Sequence, residues 1–174
     1  MQTKEQLEKF YRKPDPWGYQ TNVADVNRKN IVLQEVNNLV AEHGIFETAL
    51  DLGAGEGWIT ANLPAKKIYG YEISDLAAKR FPKNVERINE EELEGKKFGL
   101  ILACGVLYRQ YQVGWMLDTI MKCASGFVIT CNIKSWEVNN LPFLIKTYEF
   151  PYRNYVERFA IYDFRSSQRQ IEKD

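Results

Sequence analysis

The chain predicts a three-layer α/β fold on a mostly parallel sheet that ends in an antiparallel pair. Three observations point there. Short apolar runs suited to buried strands alternate with helical stretches between residues 46 and 132. The first of those runs breaks into a glycine-rich turn, Asp51-Leu52-Gly53-Ala54-Gly55-Glu56-Gly57. The stretch Thr147 to Phe164 is rich in aromatics and partly alternating, as two antiparallel strands would be.

In chain order, residues 1 to 13 have helical composition, with Leu7, Phe10 and Tyr11 on one face. Pro14-Asp15-Pro16 ends any helix, because each proline disfavours helical geometry in the residue before it. The aromatic cluster Trp17-Gly18-Tyr19 follows in a loop, either as a cap packed on the core or as part of a pocket lid; residue type alone favours the cap. Residues 22 to 43 carry the clearest helical period, with Val32, Val36, Leu39 and Val40 facing a core and Gly44 as the stop. His43, the lone histidine, falls in the last turn, where a positive charge is favourable.

Ala49 to Leu52 is a buried strand, and the glycine turn after it should feed the first turn of a helix. Ile68 to Ile73 is a second strand. Ser74 caps a helix over 75 to 81, which Pro82 ends. Val85 to Ile88 is a weak third strand, and Glu91, Glu92 and Glu94 form a solvated acidic face. Phe98 to Leu107 is apolar throughout, as suits a central strand buried on both sides. A helix over 113 to 124 leads to a fifth strand, 126 to 132. Pro151 suits the break within the final antiparallel pair.

Composition bounds the function. The 174 residues, 45% apolar and 26% charged, make one domain with a real core. We divide it into an N-terminal helical cap, 1–45, and a sheet core, 46–174. A formal net charge of zero argues against broad attraction to nucleic acid. Cys104, Cys123 and Cys131 lack metal-site spacing, so no metal is expected, and they imply a reducing, cytoplasmic setting. The N-terminus lacks a signal-peptide core, and no apolar run approaches the roughly 18 residues of a membrane span.

The glycines at 53, 55 and 57 allow close backbone approach and leave amide N–H groups outward, as in a loop that holds a nucleoside cofactor. The dinucleotide fingerprint has a different spacing, Gly-x-Gly-x-x-Gly. Asp51 beside the loop would repel a pyrophosphate and attract an ammonium group. Glu72 stands 21 positions after Asp51, at the tip of the next strand, where a carboxylate can accept hydrogen bonds from both ribose hydroxyls. Asn89 or Glu90 leaves the third strand at the same sheet edge and can reach an adenine.

The stretch Asp51 to Gly57 resembles the first motif of the class I methyltransferases that use S-adenosylmethionine (SAM), and the element order resembles their Rossmann-like fold over nearly the whole chain. Asp15-Pro16-Trp17-Gly18-Tyr19, Val106-Leu107-Tyr108 and Tyr152 to Arg158 are similar to segments of the NodS-like small-molecule methyltransferases. The resemblance implies a seven-stranded sheet and SAM as cofactor. The loop Gly53, Ala54, Gly55, Gly57 and Trp58 would hold the methionyl end, and Glu72 with Ile73 the ribose. Asn89 or Glu90 would lie near adenine, Cys104 and Gly105 would form the floor, and Tyr11, Trp17 and Arg28 would close over the cofactor. Two departures stand out: Gly99 replaces an acid common in the family, and the link from Asn132 to Thr147 is short for a crossover helix, which implies an open pocket.

The expected reaction moves a methyl group from SAM to N or O of a small molecule, with a sugar or an acidic metabolite as candidate acceptors. Tyr108 and Glu157 are the first candidates for a base, with Tyr111 and Asp15 beside them. Tyr19, Arg109, Tyr111, Asn132 and Arg153 are the candidate acceptor contacts, the arginines for a carboxylate or phosphate. A nucleic-acid acceptor and a non-catalytic SAM-binding domain are the alternatives. Against the former, Cys104-Gly105-Val106-Leu107 stands where amino-methylating DNA enzymes carry Asp/Asn-Pro-Pro-Tyr/Phe.

Overall fold

The structure, a computed structural model, describes residues 2–165. Met1 and residues 166–174, which the sequence assigned to the cap and the core, lie outside the described residues. Among the described residues, seven strands form one sheet in the order β3-β2-β1-β4-β5-β7-β6, with β7 antiparallel to β5 and β6 and the other pairs parallel. The strands are β1 (Phe46–Leu52), β2 (Ala65–Tyr71), β3 (Val85–Arg87), β4 (Phe98–Cys104), β5 (Ala124–Ile133), β6 (Leu144–Tyr152) and β7 (Tyr155–Asp163). The helices are α1 (Lys4–Phe10), α2 (Val23–His43), α3 (Asp75–Ala78), α4 (Glu90–Leu93) and α5 (Val113–Cys123). This is the expected sheet, antiparallel end included.

Alternation along the strands builds the three layers. Leu100, Leu102 and Ile129 face α2, meeting Val32, Val36 and Leu39, while Ile101, Ala103 and Val128 face α5, meeting Met116 and Ile120. Every residue from Leu100 to Ala103 is fully buried, as expected of β4. Asn22 caps α2 by accepting from the Ala24 amide at 2.9 Å, and Gly44 ends it with φ 85°. His43 stacks on Phe127, with ring centroids 5.0 Å apart.

Four local expectations change. The glycine turn leads to a single 3-10 turn, Thr60–Asn62, because Pro64 forces Leu63 into extended backbone. Helix α3 stops at Ala78; the chain tightens into 3-10 bonds, Arg80 to Ala77 and Phe81 to Ala78, before Pro82. Over residues 1 to 13 the helix covers only Lys4–Phe10. Pro151 sits inside β6, opposite Val156, and the hairpin turn is Arg153-Asn154. An edge strand tolerates proline since one side of its backbone has no partner strand.

Strand order reverses between β1 and β4: the chain runs outward from β1 through β2 to β3, then returns to the other side of β1. The carboxyl ends of β1, β2 and β4 flank the crevice at that switch, where open α/β sheets bind ligands. No helix among the described residues is long and apolar enough to cross a membrane.

Candidate functional site

A cavity lies at this switch, lined by the glycine loop, the ends of β2 and β4, the start of α5 and the N-terminal segment. Gly53, Gly55 and Gly57 all have positive φ, at 77°, 58° and 80°. The amides of Gly53 and Ala54 donate to the Tyr71 carbonyl at 2.8 and 3.0 Å, tying the loop to the end of β2. Glu72 completes the tie: its Oε2 accepts from the Gly55 amide at 2.9 Å and its Oε1 from the Ser74 amide at 2.8 Å.

Two carboxyl groups face the cavity from buried positions. Burial raises Glu72 to about 7, with the Ser74 and Gly55 amides pulling the other way. Burial likewise raises Asp51 to about 7, although Thr60 Oγ1 donates to its Oδ2 at 2.6 Å. Gly57, in contrast, does not line the cavity. A Cβ there would lie 2.9 Å from Pro82 Cδ and 3.3 Å from Phe81, so this glycine serves the contact between loop and α3 end.

Residues between α1 and α2 form the roof. Phe10, Trp17, Tyr19 and Trp58 make a ladder of rings, with centroids 5.0, 6.5 and 6.4 Å apart in turn. Trp17 Nε1 donates to the Tyr11 hydroxyl at 3.4 Å, and that hydroxyl lies 3.1 Å from where a Cβ on Gly55 would be. Trp17 lines the cavity and also packs against the cluster of Leu7, Tyr11 and Ala77, so this aromatic segment is at once a cap on the core and part of the lid. Asp15, at φ 45°, nucleates the turn: its carboxylate accepts from the Tyr19 and Gln20 amides, and its own amide donates to Glu56 Oε2 at 2.8 Å.

Arg28 reaches the cavity from α2. Its Nη2 meets Asp25 Oδ1 at 2.9 Å, its Nη1 meets Glu157 Oε1 at 3.0 Å, and the guanidinium lies over the Tyr152 ring at 4.5 Å. Its Nε is buried with no hydrogen-bond partner among the described residues. Asp25, wholly buried, also accepts from the Tyr152 hydroxyl and twice from Arg153.

The remaining predicted residues divide cleanly. Ala54, Trp58, Ile73, Cys104, Gly105, Tyr19 and Tyr111 line the cavity. Asn89 and Glu90 do not: the Asn89 side chain and amide both donate to Glu92 in their own turn, and Glu90 begins α4 beyond the rim. Neither candidate base lines the cavity. Tyr108 is buried, its hydroxyl accepts from the Ile133 amide at 2.9 Å, and burial pushes it up, further into the protonated form. Glu157 is wholly buried behind Arg28, with burial raising its carboxyl and the guanidinium opposing that shift.

The acceptor contacts are also redrawn. Arg109 is exposed and does not line the cavity. Arg153 is held by Asp25 and donates to the Trp17 carbonyl at 2.8 Å, so it fastens the lid. Asn132 is buried in the sheet and faces the loop after β4. Sequence reasoning missed Glu56, Tyr71, Val106, Gln112, Trp115 and Met116, which line the cavity. Tyr71 and Trp115 pair at 4.7 Å. A signal for Trp115 existed: it opens the helix that starts at the ligand edge of β4, although its type suggested only an apolar face.

No family model and no curated protein sequence matches the chain. Solved structures do match. The N-methyltransferase NodS from Bradyrhizobium japonicum WM9, in complex with S-adenosyl-L-homocysteine (SAH), has a TM-score of 0.73 at 15% identity, covering 94% of this chain and 98% of that one. The magnesium protoporphyrin IX methyltransferase ChlM from Synechocystis PCC 6803, with bound SAM, has a TM-score of 0.65 at 17% identity, covering 91% of this chain and 95% of that one. The likeness is one of fold, and it agrees with the resemblance carried by the glycine motif.

Proposed function

We propose that the chain is a SAM-dependent methyltransferase that moves a methyl group to N or O of a small molecule. The observation that carries this reading is the pair Asp51 and Glu72, two desolvated carboxyl groups beside a loop of bare glycines. Buried carboxylates of this kind favour a ligand with positive charge and hydroxyl donors over a pyrophosphate. Similarity in fold to two enzymes crystallised with SAH or SAM supports the same cofactor.

The residues present fit SAM. Each Glu72 oxygen accepts one backbone amide and retains a second lone pair for a ribose hydroxyl. Arg28 lines the cavity and, among the described residues, brings the one cationic side chain to its wall, on the side where an anionic group such as the amino-acid carboxylate would be favoured. Tyr71, Trp115 and Met116 offer an apolar wall for a base, in place of Asn89 or Glu90. When bound, SAM supplies a methyl group already activated by its sulfonium. The chain's task is then to orient the acceptor and exclude water, which the ring ladder over the cavity does.

The charged residues lining the cavity are Asp15, Asp51, Glu56, Glu72 and Arg28, and Arg28 is already paired with Asp25 and Glu157. Glu56 is likewise paired, with Arg80 at 2.7 Å, so Asp15, Asp51 and Glu72 are the carboxyl groups left to set the charge of the cavity; they favour a neutral or cationic acceptor, and the acidic metabolite loses the two arginines that suggested it. Asp15 and Tyr111 are the base candidates that remain at the cavity. The three free thiols support a reducing, cytoplasmic setting.

Calorimetry with SAM and SAH tests the cofactor, and SAH release from a mixed metabolite pool tests turnover. Binding of both with turnover is expected. No heat with either, while NADH binds, overturns the cofactor; binding without SAH release from any pool supports a non-catalytic domain.

A further inference from the structure

Asn132 and Glu137 lie outside the cavity, yet they sit under its floor. Asn132 Oδ1 accepts from the amides of Val106 and Leu107 at 3.0 and 3.1 Å, while its Nδ2 donates to the Ala103 carbonyl at 3.4 Å and to Glu137 Oε1 at 3.3 Å. Glu137 is held in turn. Its Oε1 accepts from Asn139 Nδ2 at 3.2 Å, its Oε2 meets Arg158 Nη1 at 3.4 Å, and its backbone bridges to Tyr108. Val138 donates to the Leu107 carbonyl at 2.8 Å, so the segment after β5 runs along the turn after β4.

That turn touches the cofactor loop directly. Val106 Cγ1 is 2.5 Å from where a Cβ on Gly53 would stand, and Gly105, at φ 72°, faces Arg28 Nη1 in the same way at 3.5 Å. A carboxamide has two orientations, and only one serves here. The other would set NH2 against two amide donors and an oxygen against both the Ala103 carbonyl and a carboxylate.

We propose that Asn132 and Glu137 are positioning residues, Glu137 holding the Asn132 carboxamide in the orientation that pins the Gly105-Val106 floor against Gly53. The proposal rests on reading the cavity as a SAM site only for its effect on affinity. Removing the acceptor leaves two amides unsatisfied, and a loss of that kind corresponds to about tenfold in an equilibrium constant.

The test compares Asn132→Ala, Asn132→Asp and the double variant Asn132→Asp/Glu137→Gln in the full chain. Two readouts are used: residue-resolved amide hydrogen exchange, and calorimetry with SAH. In Asn132→Ala, protection at Val106 and Leu107 should fall about tenfold and SAH affinity by a similar factor, with Ile101 protection falling no further than the loss of global stability requires. Asn132→Asp places a carboxylate beside Glu137 and should weaken SAH binding. Adding Glu137→Gln removes the like charge and supplies a donor to the new carboxylate, while the Ala103 carbonyl still faces an oxygen, so affinity should recover at least about threefold over Asn132→Asp alone without reaching the wild type.

Unchanged protection at both amides in Asn132→Ala overturns the proposal, as does a double variant no better than Asn132→Asp. A fall in melting temperature with unaltered SAH affinity also overturns it, since a merely structural role would give that. Should Asn132→Ala fail to fold, the two aspartate variants decide. A wild-type chain that binds neither SAM nor SAH removes the cofactor reading, while hydrogen exchange still decides the role of Asn132.

Discussion

The Gly55 amide donates to Glu72 Oε2 across 2.9 Å, while the Ser74 amide holds the other oxygen at 2.8 Å. One side chain therefore clamps the glycine loop to the end of β2 and presents its remaining lone pairs to the cavity. Glu72→Gln turns one of those oxygens into an NH2 group facing an amide donor. SAH affinity should fall by about 10- to 100-fold, the equivalent of losing one or two charge-assisted bonds. Calorimetry at pH 8 checks it, and an unchanged dissociation constant would remove Glu72 from the cofactor site.

Asp51 and Glu72 give opposite pH trends for stability and binding. Both carboxyl groups are raised from about 4 to about 7 on folding, so the folded chain holds more protons than the unfolded one between those values. Their contribution to the ligand-free protein is therefore complete below about pH 4 and is lost as pH rises through about 7. A cationic ligand favours the ionised pair, so SAM affinity should rise through the same range and level off above it. Calorimetry in buffers of differing ionisation heat should show proton release on SAM binding; proton uptake would contradict the assignment.

Gly55 and Gly57 should separate by phenotype. Both have positive φ, so alanine strains each of them. At Gly57 the added methyl meets Pro82 and Phe81, away from the cavity, and the expected result is a lower melting temperature with SAH affinity close to wild type. At Gly55 it meets the Tyr11 hydroxyl under the lid, and affinity should fall as well. Equal losses of affinity in both variants would argue that Gly57 acts on the ligand.

Asp25 is a buried carboxylate that accepts from Arg28, Tyr152 and Arg153, linking α2 to the β6–β7 turn and, through Arg153, to the Trp17 carbonyl. Asp25→Asn leaves Arg153 without its charge partner and Arg28 with Glu157 alone. A cost of about 3 kcal/mol follows from breaking a buried pair, or a drop of roughly 6 to 12 °C in melting temperature for a chain of this size. Thermal unfolding by circular dichroism measures it, and a shift under 2 °C would show that the network contributes little.

The sequence by itself determined the parts of this protein that depend on near neighbours in the chain. Short apolar runs located β1 and β4, helical stretches located α2 and α5, and the spacing from Asp51 through the glycines to Glu72 located the two carboxyl groups. The reason is that a strand, a tight turn and the next strand leave few geometries for residues so close in sequence. Only the tertiary structure decided which polar groups reach the cavity and which are turned into the frame. By sequence Glu157 is a candidate base and Arg153 a candidate acceptor contact, yet contacts 129 and 128 positions away in the chain, to Arg28 and Asp25, bury the first and fasten the second. Asn132 looks like an acceptor contact until β5 is laid beside β4, where its amide meets the Val106 and Leu107 backbone. A buried charge or carboxamide takes whichever partner the fold brings to it, and that partner is set by the crossing of distant strands and helices.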